Sequence, residues 1–242
     1  MFLDGMTWMD EALSNDTRKD GAGPTKAARS ARTLLATLAV VALAGAASAD
    51  AGADVIGSWN LNGPEIGAGL LQASLGSGTL DTTAFGGSLS TLQGTLIGVQ
   101  PGEPAGNALA IVGTAGNGLA LRFDFADLSG FNGDDLMLQF ATRRSSTGFS
   151  MNRIEFWKGL SWVTLAEFTP STTAWELKTF DLAGAASAAS GPLALRIVVD
   201  GATGSTGSIR FDNFALMGTP VPAPAGAVTL LALAGVVGRR RR

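Results

Sequence analysis

No cysteine, histidine or tyrosine occurs anywhere in the 242 residues, and each absence removes chemistry. Without cysteine there is no disulfide framework, no thiolate nucleophile and no Cys-ligated metal. Export into an oxidising compartment stays compatible with this, given a core large enough to fold without staples. Without histidine and tyrosine the usual general base, the commonest zinc ligand and the phenolic acid are gone. Charge is scarce too: Asp, Glu, Lys and Arg make up 15% of the chain, against roughly 25% in an ordinary soluble domain. In their place stand 33 glycines and a normal 46% of hydrophobic residues. This is the composition of a small-residue-rich β protein, and the length suits one domain.

The net charge of −3 conceals a segregation. Basic residues gather at both ends, whereas residues 50–218 hold 8 Lys+Arg against 15 Asp+Glu, a net of −7. So acidic a centre repels nucleic acid and anionic headgroups and argues against a nucleic-acid partner.

The two ends read as addresses. Met1 to Thr25 is polar and without period, a dispensable leader or the product of a start assigned too far upstream. Lys26, Arg29 and Arg32 then form a positive n-region, Thr33 to Gly45 an apolar h-region, and Ala47-Ser48-Ala49 a small-residue cleavage site. That order predicts a secretory signal peptide, handled by the Sec translocon and signal peptidase, with Asp50 as the mature N-terminus. The apolar run is too short for a membrane span and lacks the polar positions of an amphipathic helix. At the other end Val221-Pro222-Ala223-Pro224 leads into an apolar run, Ala225 to Gly238, that stops in Arg239, Arg240, Arg241 and Arg242. This predicts a single hydrophobic helix with its cations held in the cytoplasm. Fourteen apolar residues at about 1.5 Å each are short for a core of about 30 Å, which places the Pro hinge near the opposite interface.

Between the ends the period changes to two, and turn residues punctuate the chain. Val55 to Leu61 is an expected first strand with Val55, Trp59 and Leu61 on one face. Glu65 to Pro104 reads as weak strands and long loops. Strands are expected at Ala108–Val112, Leu119–Phe125, Leu136–Thr142, Arg153–Trp157, Trp162–Phe168, Trp175–Asp181, Leu193–Asp200 and Ile209–Leu216. In the second of these Leu119, Leu121, Phe123 and Phe125 alternate with Ala120, Arg122 and Asp124, the pattern of a sheet with one wet face. The stretch from Ala183 to Ser190 fits a small-residue loop better than a helical turn. The fold class is all-β: an antiparallel β-sandwich, with a jelly roll as the expected topology. The chain divides into a leader and signal peptide (1–49), the sandwich (50–218) and a hinge, hydrophobic helix and arginine tail (219–242).

An enzyme built from these residues must work with carboxylates alone, and glycoside hydrolysis is the reaction for which two suffice. None of Glu155, Glu167 or Glu176 has an acid two positions on, so the same-face pairing of a strand-borne glycosidase is missing, and solvated strand residues are the stronger reading. Oxygen ligands for a structural Ca²⁺ are more plentiful. Asp124, Asp127 and Asp134 flank the turn Ser129-Gly130-Phe131-Asn132-Gly133, although their spacing matches no calcium loop and suits ordinary turn chemistry. The aromatics carry the most specific argument. Alternation puts Ile154 and Phe156 inside with Glu155 and Trp157 outside, and Val163 and Leu165 inside with Trp162 outside. A hairpin through Lys158-Gly159-Leu160-Ser161 makes Trp157 and Trp162 exposed cross-strand neighbours. They read either as a sugar-stacking platform flanked by Glu155 and Lys158, or as a hydrophobic pair covered by a loop.

With these residues in view, the C-terminus resembles the PEP-CTERM sorting domain of exosortase substrates, matched by Val221-Pro222-Ala223-Pro224, the apolar run and the four arginines. Ala223 stands where the family has Glu. The resemblance implies an exosortase-like membrane enzyme as partner, transient anchoring, and delivery to the cell surface or an exopolysaccharide matrix. The stretch from Asp54 to Gly218 is similar to the jelly-roll modules that precede such tails, through Ser58-Trp59-Asn60-Leu61-Asn62-Gly63, the run from Phe140 to Phe149, Trp175 through Phe180-Asp181-Leu182, and the run from Leu195 to Ala202. Its end, Ile209-Arg210-Phe211-Asp212-Asn213-Phe214, is similar to the last strand of carbohydrate-binding jelly rolls, which implies that Asp212 helps hold a structural Ca²⁺. Jelly rolls host many activities, so the similarity bears on fold more than on function.

Overall fold

The structure, a computed structural model, describes residues 52–63, 66–188 and 191–222. The predicted signal peptide with Ala47, Ala49 and Asp50, and the tail from Ala223 to Arg242, lie outside these. Within them run thirteen strands: β1 (Asp54–Trp59), β2 (Leu70–Gln72), β3 (Leu75–Gly76), β4 (Thr79–Asp81), β5 (Leu89–Gln93), β6 (Asn107–Val112), β7 (Ala120–Phe125), β8 (Met137–Arg144), β9 (Met151–Trp157), β10 (Trp162–Phe168), β11 (Glu176–Asp181), β12 (Leu193–Asp200) and β13 (Ser208–Gly218). Only short 3-10 turns accompany them, one being Ala183–Ala188, where the sequence reading preferred a loop.

The strands form two antiparallel sheets. The seven-stranded sheet runs β11-β8-β13-β1-β3; the first half of β13 also pairs β6, which pairs β5. The six-stranded sheet runs β10-β9-β12-β7-β4-β2. Successive long strands cross between the sheets: β7 lies in one, β8 in the other, β9 and β10 back in the first, then β11, β12 and β13 alternate. This is the path of a jelly roll.

The period-two pattern explains which side chains fill the space between the sheets. Leu121, Phe123 and Phe125 from β7 and Leu193, Leu195, Ile197 and Val199 from β12 are buried, and their alternating neighbours form the outer face. Trp59 packs edge-on to Phe123 at 5.3 Å and to Phe125 at 5.9 Å, and Phe123 meets Phe214 at 5.0 Å. Edge-on pairs of this kind add about 0.5–1.5 kcal/mol each beyond the area they bury. The Trp59 indole N–H donates to the Leu71 carbonyl at 3.1 Å. This aromatic core is how a chain without disulfides holds two sheets together.

Two bulges overrule simple alternation. The β1–β13 register shifts between Val55 and Gly57, so Ile56 reaches the core together with Trp59, and Val55 does not share the face predicted for it. In β13 the register against β8 shifts between Asp212 and Ala215, with Asn213 at φ 53°. Phe211 and Phe214 therefore both point inward and stack at 5.6 Å, while Asp212 faces the opposite way.

Asp212 and Asn213 hold the segment that follows β5 against the outer face of the seven-stranded sheet. Asp212 Oδ2 accepts the Thr95 N–H at 2.7 Å, and the Asn213 amide donates to the carbonyls of Thr95 and Ile97 at 2.8 and 3.0 Å. A Cβ on Gly94 would stand 2.4 Å from Asp212 Oδ2, so glycine is required for this approach. Part of one outer face is thereby covered, and among the described residues the outer face of the other sheet stays open.

Candidate functional site

The open face belongs to the six-stranded sheet, and register assigns its side chains to rows. Thr164 of β10 lies opposite Glu155 of β9, Glu155 opposite Arg196 of β12, Arg196 opposite Arg122 of β7, Arg122 opposite Asp81 of β4, and Asp81 opposite Leu70 of β2. The next row begins with Trp162 opposite Trp157 and continues through Ala194, Asp124, Thr79 and Gln72.

The hairpin turn brings the two indoles together as the alternation predicts. The Lys158 N–H donates to the Ser161 carbonyl at 2.9 Å, and the rings meet edge-to-face, 5.4 Å apart and 61° to one another. At that angle they do not make one flat surface. Trp162 is half-buried, with the Arg196 guanidinium over its ring at 4.4 Å and that of Arg122 at 5.9 Å. Such cation–π contacts fix the ring and occupy its face. Trp157 is 39% exposed and lines a groove of about 570 Å³ whose walls include Arg122, Asp124, Thr79, Gln72 and Pro192. Ala194, in register between the indole and Asp124, leaves the floor low. Trp157 is thus the more exposed of the two rings, and Trp162 is its support. Lys158 is exposed beside them.

Glu155 does not stand free beside the indoles. It is 5% exposed, and its oxygens accept from Arg153 Nε at 2.5 Å and Arg196 Nε at 2.6 Å. Burial alone would raise its pKa, but hydrogen bonds from Arg153 and Arg196, and the charges of both, hold it below the ordinary carboxylate value. Its role is to anchor Arg196, which in turn clamps Trp162. The other two glutamates are placed apart: Glu167 is exposed on β10, opposite Arg153, and Glu176, in the other sheet, is bound to Lys178 at 3.2 Å and to the Ser171 N–H at 2.7 Å.

The four aspartates singled out for calcium do not converge, and among the described residues no three acids do. Asp124 pairs with Arg122 at 2.7 Å on the open face. Asp127 accepts the Ser129 N–H at 2.8 Å, a turn bond that lowers its pKa. Asp134 is exposed in the 3-10 turn Gly133–Asp135. Asp212 is fully buried in the other sheet, both oxygens already accepting backbone N–H groups, from Thr95 and from Asn213 at 2.9 Å. Burial pushes its carboxyl up to about 7, and those two hydrogen bonds oppose the rise. A calcium cage needs six to eight oxygens. As folded, these side chains do not fit one.

Of the predicted hinge, Val221 and Pro222 are described: both are exposed, and the Val221 N–H donates to the Gly130 carbonyl at 2.9 Å. Among the described residues no helix is long and apolar enough to cross a membrane.

The sequence does not single out the arginines that organise this face. Arg122, Arg153 and Arg196 sit at outward positions of their strands and were legible as such. That Glu155 joins two of them depends on β9 pairing β12, which no local pattern reveals.

No known family and no curated protein matches the sequence. Among solved structures it is similar to the CBM22-1 xylan-binding domain from Paenibacillus barcinonensis Xyn10C, with 9% identity over 72% of this chain and 100% of that one, at a TM-score of 0.39. It is similar also to the xylan-binding module CBM15, with 8% identity over 55% of this chain and 99% of that one, at 0.37. A third is TmCBM61 in complex with β-1,4-galactotriose, with 9% identity over 55% and 83%, at 0.35. At such identities and scores the likeness carries no weight for ligand or residue roles, which rest on the geometry above.

Proposed function

We propose that this is an exported, non-catalytic surface protein that binds polysaccharide through the outer face of its six-stranded sheet. One observation carries the proposal: Trp157 is held exposed on the wall of an open groove by a second indole that Arg196 and Glu155 lock in place. An exposed, immobilised indole offers an apolar plane to the C–H face of a pyranose. Arg122, Asp124, Thr79 and Gln72 offer donors and acceptors to hydroxyls along the groove. A glutamate neutralised by two guanidinium groups is poorly suited to proton transfer, which favours binding over hydrolysis.

The ends complete the proposal. The signal peptide exports the chain, and the PEP-CTERM-like tail holds it until an exosortase-like enzyme releases or attaches it within an exopolysaccharide matrix. Arg239 to Arg242 serve as the stop-transfer anchor. Intact-mass measurement on protein from the native host tests this: loss of the residues before Asp50 and after the hinge is the expected result, and an unprocessed tail would overturn it. The binding claim is tested by native gels cast with soluble polysaccharides. Retardation by at least one of them, with no reducing sugar released, is expected. Migration unaffected by every glycan, or hydrolysis, would refute it.

A further inference from the structure

The other sheet carries two arginines in a very different setting. Arg143 of β8 and Arg210 of β13 are direct cross-strand partners, and alternation puts both on the outer face, because Phe140, Thr142, Ile209 and Phe211 face in. Direct partners bring their Cβ atoms within about 4.5–5.5 Å, and like charges so placed repel. Among the described residues neither guanidinium forms an ion pair. Asp212, two positions along the same strand, makes no ion pair with either of them, and its oxygens are turned to the backbone N–H groups of Thr95 and Asn213. The same register row continues through Ala110 to Ser90, so a small side chain and a hydroxyl lie next to the cations. Both arginines are half-buried.

We propose that Arg143 and Arg210 form an oxyanion site, separate from the Trp157 groove, that takes a carboxylate, sulfate or phosphate group, free or carried on an acidic polysaccharide. Two adjacent guanidinium forks match the oxygens of such a group and hold it by charge-assisted hydrogen bonds. A bound anion also offsets the repulsion between the two guanidinium groups. The Arg210 guanidinium responds to its surroundings as the site requires: burial first, and then the charge of Arg143, lower its pKa. The contrast with the open face sharpens the point, because there Arg153 and Arg196 share Glu155, and Arg122 pairs with Asp124, so each guanidinium has an acid beside it. The Arg143–Arg210 pair is left for a ligand.

The test uses the intact protein with Arg143→Gln, Arg210→Gln and Trp157→Ala. In chloride buffer both arginine variants should melt at or above the wild-type temperature, which also establishes that they fold. Inorganic phosphate at matched ionic strength should raise the wild-type midpoint by about 3 °C more than that of either arginine variant, with Trp157→Ala responding as wild type. Retardation in gels containing polygalacturonate, weakened at least fivefold by Arg143→Gln and unchanged by Trp157→Ala, would assign the oxyanion to an acidic glycan. A phosphate response alone would assign it to a free anion. An identical response of wild type and both arginine variants to phosphate and polyuronate would overturn the site.

Discussion

The two outer faces of this sandwich are built on the same alternation and end up opposite in character. On the six-stranded sheet charge is compensated within the face: Glu155 lies between Arg153 and Arg196, and Asp124 beside Arg122. Among the described residues no segment is clamped across it, and Arg196, tied to Glu155, lies over the Trp162 ring. On the seven-stranded sheet the chain after β5 lies over the surface, clamped by Asp212 and Asn213, while Arg143 and Arg210 face each other without an acid. The difference teaches that a polar residue at an outward strand position acquires its role from what crosses above it and which strand lies beside it.

The faces should respond to pH in opposite directions, which is the largest way to break the comparison. Asp212 has its folded-state pKa raised to about 7, so the folded chain holds this proton more tightly than the unfolded one. Its contribution to stability is complete below about pH 4 and is lost as the pH rises through 7, with a linkage ceiling of about 4 kcal/mol. Urea unfolding between pH 5 and 7.5 should show stability falling for the wild type and a flatter profile for Asp212→Asn. Equal slopes would remove Asp212 as the titrating group. Glu155 is shifted the other way: its contribution is present above about pH 4.5, the unfolded value, and is lost as the pH falls through the lower folded one.

Removing the Glu155 carboxylate is the next largest effect. Glu155→Gln leaves Arg153 and Arg196 side by side without their anion. About 2–3 kcal/mol should be lost, below the full cost of breaking a buried pair because the arginines are partly exposed. Adding Arg196→Gln should recover part of that loss. A loss under about 0.5 kcal/mol would mean the cluster is only surface decoration. The smallest effect belongs to the exposed Arg122–Asp124 pair: Arg122→Ala should change stability by less than about 0.5 kcal/mol while weakening glycan binding, a split visible by melting and gel retardation on one preparation.

Much of this contrast was written locally and some was not. Period-two runs such as Leu119 to Phe125 announce both a strand and its wet face, and the short link between Trp157 and Trp162 announces their pairing. The bulges at Val55–Gly57 and Asp212–Ala215 break the period where it is relied upon, because one extra residue reverses every side chain beyond it. Alternation also gives the face of a residue without its neighbour. Glu155 was readable as outward and two positions from Arg153, yet its bond to Arg196 comes from a partner strand 41 residues away. In the same way Asp212 was singled out for a metal, whereas the groups it binds include an N–H 117 residues distant.

The central claim, that Trp157 and the open face bind glycan, is met most directly by one pair of substitutions in gels cast with an uncharged polysaccharide that retards the wild type. Trp157→Ala removes the exposed indole, and Leu177→Ala removes a side chain of similar exposure, 44% against 39%, on the opposite sheet. Trp157→Ala should weaken retardation at least tenfold, about 1.4 kcal/mol, at a melting temperature near that of the wild type, with Leu177→Ala unchanged. Equal retardation of both variants and the wild type would contradict the account.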